Sequence, residues 1–367
     1  MAAVDAVPSA QPTGSGPLPV IDVGPLTRGD ADAADKARSA AALRQACVEW
    51  GFFYITNHGL EKQVPEMVAA TRALFDLPEA EKAALAASLS PLHRGWTGLG
   101  GAHNCSSEAG PDTKESFLLG AEGSASPMHG ANPWPPAPLL PGWQGRVRAY
   151  FAAALDLSRA VSRGLALALG LPESFFADRM RDPVAQLLLL RYPAPPGGAR
   201  RGRGRGCGEH TDCGFLTILA QDDVPGLEVR RRRGTTGGGA APAAPAACCG
   251  GGGEDSDGDL GEWVAAPPLP GALLVNLGDL AAFWSGGVVR STLHRVFIDD
   301  AAGRARHSCV FFCNCDFDAE VRPGFGAEAA AKGASGGGGG VSAGGSGPAA
   351  PMTAGKYILE KLGIMYS

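Results

Sequence analysis

Gly208-Glu209-His210-Thr211-Asp212-Cys213-Gly214-Phe215-Leu216-Thr217-Ile218-Leu219 places a His-X-Asp pair at the mouth of an apolar run. Residues two apart on an extended chain point to the same side, so His210 and Asp212 can offer an imidazole nitrogen and a carboxylate oxygen to one metal ion. His294 is the candidate third ligand. It lies in Ser291-Thr292-Leu293-His294-Arg295-Val296-Phe297-Ile298, whose β-branched and apolar residues read as another strand. A His-X-Asp pair alone is a weak signal, because a loop histidine hydrogen-bonded to its neighbour has the same sequence.

The surroundings sharpen the reading. Two histidines and a carboxylate on one face of an ion leave three positions open, the coordination expected of non-haem Fe(II) oxygenases. Downstream, Arg306-His307-Ser308 opens the apolar run Cys309-Val310-Phe311-Phe312. If that run is a strand, Arg306 and Ser308 share a face. A planar guanidinium with a hydroxyl beside it suits a carboxylate, through two parallel charge-assisted bonds and a third from the hydroxyl.

With these residues in view, the chain resembles the 2-oxoglutarate- and Fe(II)-dependent dioxygenases of the isopenicillin N synthase-like superfamily. The resemblance extends to Pro19-Val20-Ile21-Asp22, Trp50-Gly51-Phe52-Phe53-Tyr54-Ile55-Thr56-Asn57-His58-Gly59, Pro111-Asp112-Thr113-Lys114-Glu115-Ser116-Phe117, Arg191-Tyr192-Pro193 and Val275-Asn276-Leu277-Gly278-Asp279, in that order. It implies a mainly β fold with flanking helices: a double-stranded β-helix, or jelly-roll, core with an N-terminal helical region. It also implies Fe(II) on His210, Asp212 and His294, and 2-oxoglutarate with its far carboxylate on Arg306 and Ser308. Tyr192 matches a family tyrosine that bonds the co-substrate, though Leu190 stands where many plant members have asparagine. The implied reaction oxidises a C–H bond of a small organic molecule with O2, by hydroxylation, desaturation or ring closure, and releases succinate and CO2; ascorbate is an auxiliary reductant. An oxidase resembling aminocyclopropanecarboxylate oxidase or isopenicillin N synthase, which binds its own substrate's carboxylate on the same clamp, is the alternative. A zinc hydrolase or a silent metal-binding scaffold is more remote, since neither explains the clamp.

The 367 residues are 45% hydrophobic, enough for a substantial core, and a net charge of −5 argues against a nucleic-acid partner. Nine cysteines without a repeated Cys-X-X-Cys pair read as reduced thiols, with Cys309, Cys313 and Cys315 as small buried hydrophobes. No apolar stretch long enough for a membrane span and no secretory leader is present, so a cytoplasmic monomer is expected.

Residues 1–17 read as a disordered leader, 18–180 as an N-terminal dioxygenase region, 183–320 as the jelly-roll core with a Gly-rich insertion at 231–260, and 325–367 as a Gly-rich tract with a C-terminal helix. Apolar periodicity predicts helices over 32–49, 62–75 and 141–170, and Pro78 opens another. Residues 90–140 read as irregular and as a source of substrate specificity. His58 is a turn residue, and His93, His103 and His129 are solvated loop histidines. The Arg/Gly alternation at 200–206 reads as a solvated loop, and Asn276 and Asp279 as turn-shaping residues without a part in the chemistry.

Overall fold

Side chains alternate between two faces along a strand, and at 185–192 and 306–313 this alternation separates a helix-packed core from an internal cavity. The computed structural model describes residues 18–101, 112–123, 126–194, 203–232, 260–299, 303–325, 352–361 and 363. In chain order the elements are β1 (Val20–Asp22), α1 (Gly24–Thr27), α2 (Ala33–Glu49), β2 (Phe52–Thr56), α3 (Gln63–Phe75), α4 (Glu79–Ala83), β3 (Gly95–Thr97), β4 (Glu115–Gly120) and α5 (Trp143–Ala168). Then follow β5 (Ala185–Tyr192), β6 (Arg203–His210), β7 (Leu216–Gln221), β8 (Leu227–Arg232), β9 (Leu260–Ala265) and β10 (Leu273–Leu277). The chain continues with α6 (Asp279–Trp284), β11 (His294–Asp299), β12 (Arg306–Cys313), β13 (Glu320–Val321), β14 (Met352–Thr353) and α7 (Ala354–Lys361).

Eight strands form one sheet in the order β1-β2-β10-β7-β12-β5-β4-β3, and four form a second in the order β6-β11-β8-β9. This is the two-sheet jelly-roll core with flanking helices. The outer face of the large sheet carries Leu187, Leu189, Ile218, Cys309, Phe311 and Cys313, each with no exposed surface. Burial of these apolar side chains against the helices, worth roughly 25 cal/mol per Å², joins the layers. In α5 the stripe Trp143, Val147, Tyr150, Ala154, Leu157, Val161 and Leu165 is buried, as its 3.6-residue period requires. Trp143 also donates from Nε1 to the Ala70 carbonyl at 2.9 Å, tying α5 to α3. The inner face of the large sheet and the small sheet enclose a second apolar cluster that includes Phe52, Leu190, Leu219, Leu227 and Val296.

Several sequence expectations change. Residues 90–140 contain β3 and β4, and β4 pairs with β5 in the large sheet. Glu115, at the start of β4, is satisfied by Lys82 (2.8 Å), Trp96 (2.9 Å) and Arg191 (3.1 Å), so tertiary partners hold a strand that the local pattern did not reveal. Described residues of the Arg/Gly alternation belong to β6, which pairs antiparallel with β11. Glycine's poor strand propensity is overridden there by pairing, and Gly206 packs against Tyr192. His129 is buried, with Nε2 at 3.2 Å from the Pro183 carbonyl, rather than solvated. The leader at 1–17, His103, the Gly-rich tract at 333–347 and most of the 231–260 insertion lie outside the described residues.

Candidate active site

β6 ends on His210 and β11 begins on His294, and the antiparallel register sets these two residues opposite each other. Asp212 follows two residues after His210. The three side chains each bring a ligand atom within 4.8 Å of the others. Nε2 of His294 lies 3.7 Å and Nε2 of His210 4.0 Å from Oδ1 of Asp212.

Their remaining atoms are already engaged. His210 Nδ1 donates to the Gly208 carbonyl at 2.8 Å and His294 Nδ1 to the Thr292 carbonyl at 3.0 Å. Each Nε2 is therefore the ring nitrogen that faces the cluster and remains for a metal. Oδ2 of Asp212 accepts from Thr217 Oγ1 and from Asn276 Nδ2, both at 2.6 Å, which leaves Oδ1 for a metal. Burial pushes the His294 pKa down, and the neighbouring His210 pushes it further, so this imidazole is neutral. Burial opposes ionisation of Asp212, but His294, His210 and the hydrogen bonds from Asn276 and Thr217 outweigh it and hold the carboxyl below its ordinary value. Burial also opposes protonation of His210; the Cys207 thiol and Asp212 outweigh that and raise it. A neutral His294, an ionised Asp212 oxygen and His210, which would give up its Nε2 proton to a metal, make a donor set that fits Fe(II).

Asn276 was expected only to shape a turn. Instead it holds the carboxylate directly, and Asp279 donates its backbone N–H to the Asp212 carbonyl at 2.7 Å. Nothing in the local sequence of Asn276 marks this role, because β10 reaches β7 only through the sheet.

The cavity between the sheets measures about 260 Å³ and includes all three of these residues, together with Tyr192, Arg306 and Ser308. Arg306 is only 1% exposed, yet no carboxylate pairs with it among the described residues. Its Nη2 donates to Gln221 Oε1 at 2.8 Å and its Nη1 to Ser308 Oγ at 3.4 Å, while Nε is buried without a partner. A buried, unneutralised guanidinium is costly, and a ligand carboxylate would complete it. The Tyr192 ring lies 5.2 Å from the guanidinium carbon, and its hydroxyl has no hydrogen-bond partner among the described residues. Burial pushes its pKa up, so it remains a donor.

Cross-strand register arranges the cavity wall in rows. Arg306 stands opposite Tyr192, Ser308 between Leu190 and Gln221, and Val310 between Leu188 and Leu219. The next row runs Gln186, Phe312, Thr217, Asn276, Phe52 across five strands. Phe52 packs edge-on against His294 with ring centres 5.0 Å apart. Lys114 also reaches the cavity but is held by Asp112 at 3.1 Å and by Cys207 Sγ at 3.2 Å. From the far end of the chain α7 contributes Ile358 to the wall, and Lys361 pairs with Asp279 at 3.4 Å.

Known proteins match on both halves. Residues 18–137 match a family described as non-haem dioxygenase in morphine synthesis N-terminal, and residues 248–314 match the 2OG-Fe(II) oxygenase superfamily. The second match contains His294, Arg306 and Ser308 and begins after Asp212. A homoarginine-6-hydroxylase of Glycine max is 33% identical over 327 residues, covering 83% of this chain and 88% of the relative. A 2-oxoglutarate-Fe(II) type oxidoreductase of Emericella nidulans is 33% identical, covering 80% and 78%. Among solved structures, a full-length Neurospora crassa protein in complex with alpha-KG and thymine aligns with a TM-score of 0.71 at 24% identity, covering 96% of this chain and 99% of that one. JOX2 in complex with 2OG, Fe and JA aligns with a TM-score of 0.63 at 25% identity, covering 87% and 83%.

Proposed function

The chain belongs to the 2-oxoglutarate- and Fe(II)-dependent oxygenases, and we propose that His210, Asp212 and His294 hold its iron while Arg306, Ser308 and Tyr192 hold 2-oxoglutarate. The observation that carries this reading is one cavity joining three free ligand atoms to a buried guanidinium without an anion. Iron, 2-oxoglutarate and O2 together supply oxidation of a substrate C–H bond, with release of succinate and CO2.

The chain's own residues prepare that chemistry. Gly208 and Thr292 carbonyls fix the two imidazole rings, and Thr217 with Asn276 fixes the carboxylate, so the donor set is in place before any ligand arrives. Arg306 and Ser308 would take the far carboxylate of 2-oxoglutarate, and Tyr192 would donate its phenolic proton in a hydrogen bond. Leu188, Val310 and Leu219, one row from the clamp, keep water from the reacting centre.

We take the substrate to be a small organic molecule, because the cavity must hold it beside the co-substrate. Relatives named as 2-oxoglutarate-dependent favour this reading over the oxidase that does without 2-oxoglutarate. None of the six described cysteines forms a disulfide, in keeping with a reducing compartment such as the cytoplasm. Among the described residues no helix is long and apolar enough to cross a membrane.

Anaerobic titration of the Fe(II)-loaded protein with 2-oxoglutarate tests the assignment. A weak visible charge-transfer band from the chelated keto acid is expected, with a far higher 2-oxoglutarate requirement in Arg306→Ala. Iron binding without the band would overturn the co-substrate.

A further inference from the structure

On the metal side of the cavity, away from Arg306, two amide side chains are unclaimed. Asn314 is 4% exposed and follows Phe312 by two residues at the end of β12. Its Oδ1 accepts the Phe215 N–H at 2.8 Å, which fixes the orientation of the amide. Nδ2 has no hydrogen-bond partner among the described residues, although the side chain lines the cavity. Gln186 stands opposite Phe312 on β5, is half-buried against the same cavity, and makes no side-chain hydrogen bond among the described residues. Phe312 in turn stands opposite Thr217, whose hydroxyl holds Asp212. The two amides therefore bracket an aromatic ring one strand away from the proposed iron ligands.

The charges around the cavity narrow what these amides could read. Apart from the Tyr192 phenol and the thiols of Cys213 and Cys207, the last held 3.2 Å from Lys114 Nζ, five of its described lining residues can carry charge: Lys114, His210, Asp212, His294 and Arg306. The three clustered near the metal position are the proposed ligands, Arg306 is the proposed clamp, and Lys114 is engaged by Asp112 and by Cys207. No described side chain remains to pair with a charged substrate group. An ammonium, guanidinium or second carboxylate would be buried here without a counter-ion, which is unfavourable. An uncharged group that both donates and accepts matches two neutral amides beside an aromatic face.

Resting on the oxygenase reading above, we propose that Asn314, Gln186 and Phe312 form the substrate-recognition site and select an uncharged cyclic secondary amide: a lactam, imide or ureide ring. Nδ2 of Asn314 donates to the ring carbonyl, the Gln186 carbonyl accepts the ring N–H, and Phe312 packs against the ring plane. This sets the chain apart from the homoarginine hydroxylases to which it is similar, whose named substrate is cationic.

Anaerobic calorimetry on the full chain loaded with Fe(II) and 2-oxoglutarate tests this, with uracil and glutarimide as probes. Their N-methylated forms, homoarginine and indole-3-acetate are the comparisons. The secondary amides should bind about tenfold or more tightly than the N-methylated forms, since losing one partner leaves a buried polar group unsatisfied. Asn314→Asp keeps an acceptor for Phe215 and exchanges the amide donor for a second carboxyl oxygen, and should weaken uracil about tenfold or more while iron and 2-oxoglutarate still bind. Gln186→Leu, at a site with no internal bond to break, should do the same. Tighter binding of homoarginine or indole-3-acetate, equal binding of the N-methylated forms, or unchanged uracil affinity in both variants overturns the proposal. Failure of the unsubstituted protein to bind 2-oxoglutarate would instead overturn the oxygenase reading of the cavity, so the two failures are distinct.

Discussion

The two ends of the cavity are built on opposite principles. Around Asp212 the protein satisfies its own polar atoms: four hydrogen bonds of 2.6 to 3.0 Å fix both imidazoles and the carboxylate and leave one ligand atom free on each. Around Arg306 the protein stops short. One nitrogen is buried without a partner, and among the described residues no carboxylate balances the charge. On the proposed assignment, the first end is organised before its ligand arrives, whereas the second would be completed by its ligand. The proposed iron ligands should therefore depend on supporting residues, while the clamp should depend on the ligand's anion.

The largest test of this contrast is Asp212→Ala, which should abolish iron retention and succinate release; an iron-replete, active variant would remove the metal assignment. Next, Arg306→Ala should raise the 2-oxoglutarate requirement by roughly 10- to 100-fold, the range of a charge-assisted pair, with iron content unchanged. Loss of iron in that variant would mean that the two ends are not independent. Thr217→Val removes one of the two supports of Asp212, and a fall of about tenfold in iron affinity is expected from losing such a partner. Its 2-oxoglutarate requirement, measured at saturating iron, should match that of the unsubstituted protein.

The smallest effect lies behind the clamp. Burial opposes ionisation of Asp222, but hydrogen bonds from His307, Val224 and Arg72 outweigh it and hold the carboxyl below its ordinary value of 3.8. A carboxyl depressed on folding contributes stability that is complete above the unfolded-state value and is lost as pH falls through the folded-state value. Asp222→Asn should thus cost about 1 kcal/mol at neutral pH and leave a flatter acid limb in urea unfolding below about pH 5. An unchanged acid limb would remove this support from the back of the clamp strand.

How far the site was legible depended on whether a residue's role is local. His210, Asp212, Arg306 and Ser308 stand out in the sequence because their partners in each pair are two residues away and strand alternation puts them on one side. His294 needed a second stretch and the family pattern. Asn276, Thr217, Gln186 and Asn314 were not legible as site residues, since each acts across a sheet on a partner that local periodicity does not identify. The irregular reading of 90–140 failed for a related reason. β4 is stabilised by its pairing with β5 and by Glu115's contacts, neither of which leaves a periodic trace in its own short segment.

The sequence by itself determined the chemistry on offer: two imidazoles and a carboxylate with the right spacing, an Arg-X-Ser pair on an apolar strand, and a charge balance poorly suited to nucleic acid. Only the tertiary structure decided that β6 would meet β11 with His210 opposite His294, and that Gln186, Phe312, Thr217 and Asn276 would stand in one row. The physical reason is that the face a residue occupies follows from its own strand's period of two, whereas its neighbour across the sheet follows from register. Register is set by burying the apolar faces of whole sheets together.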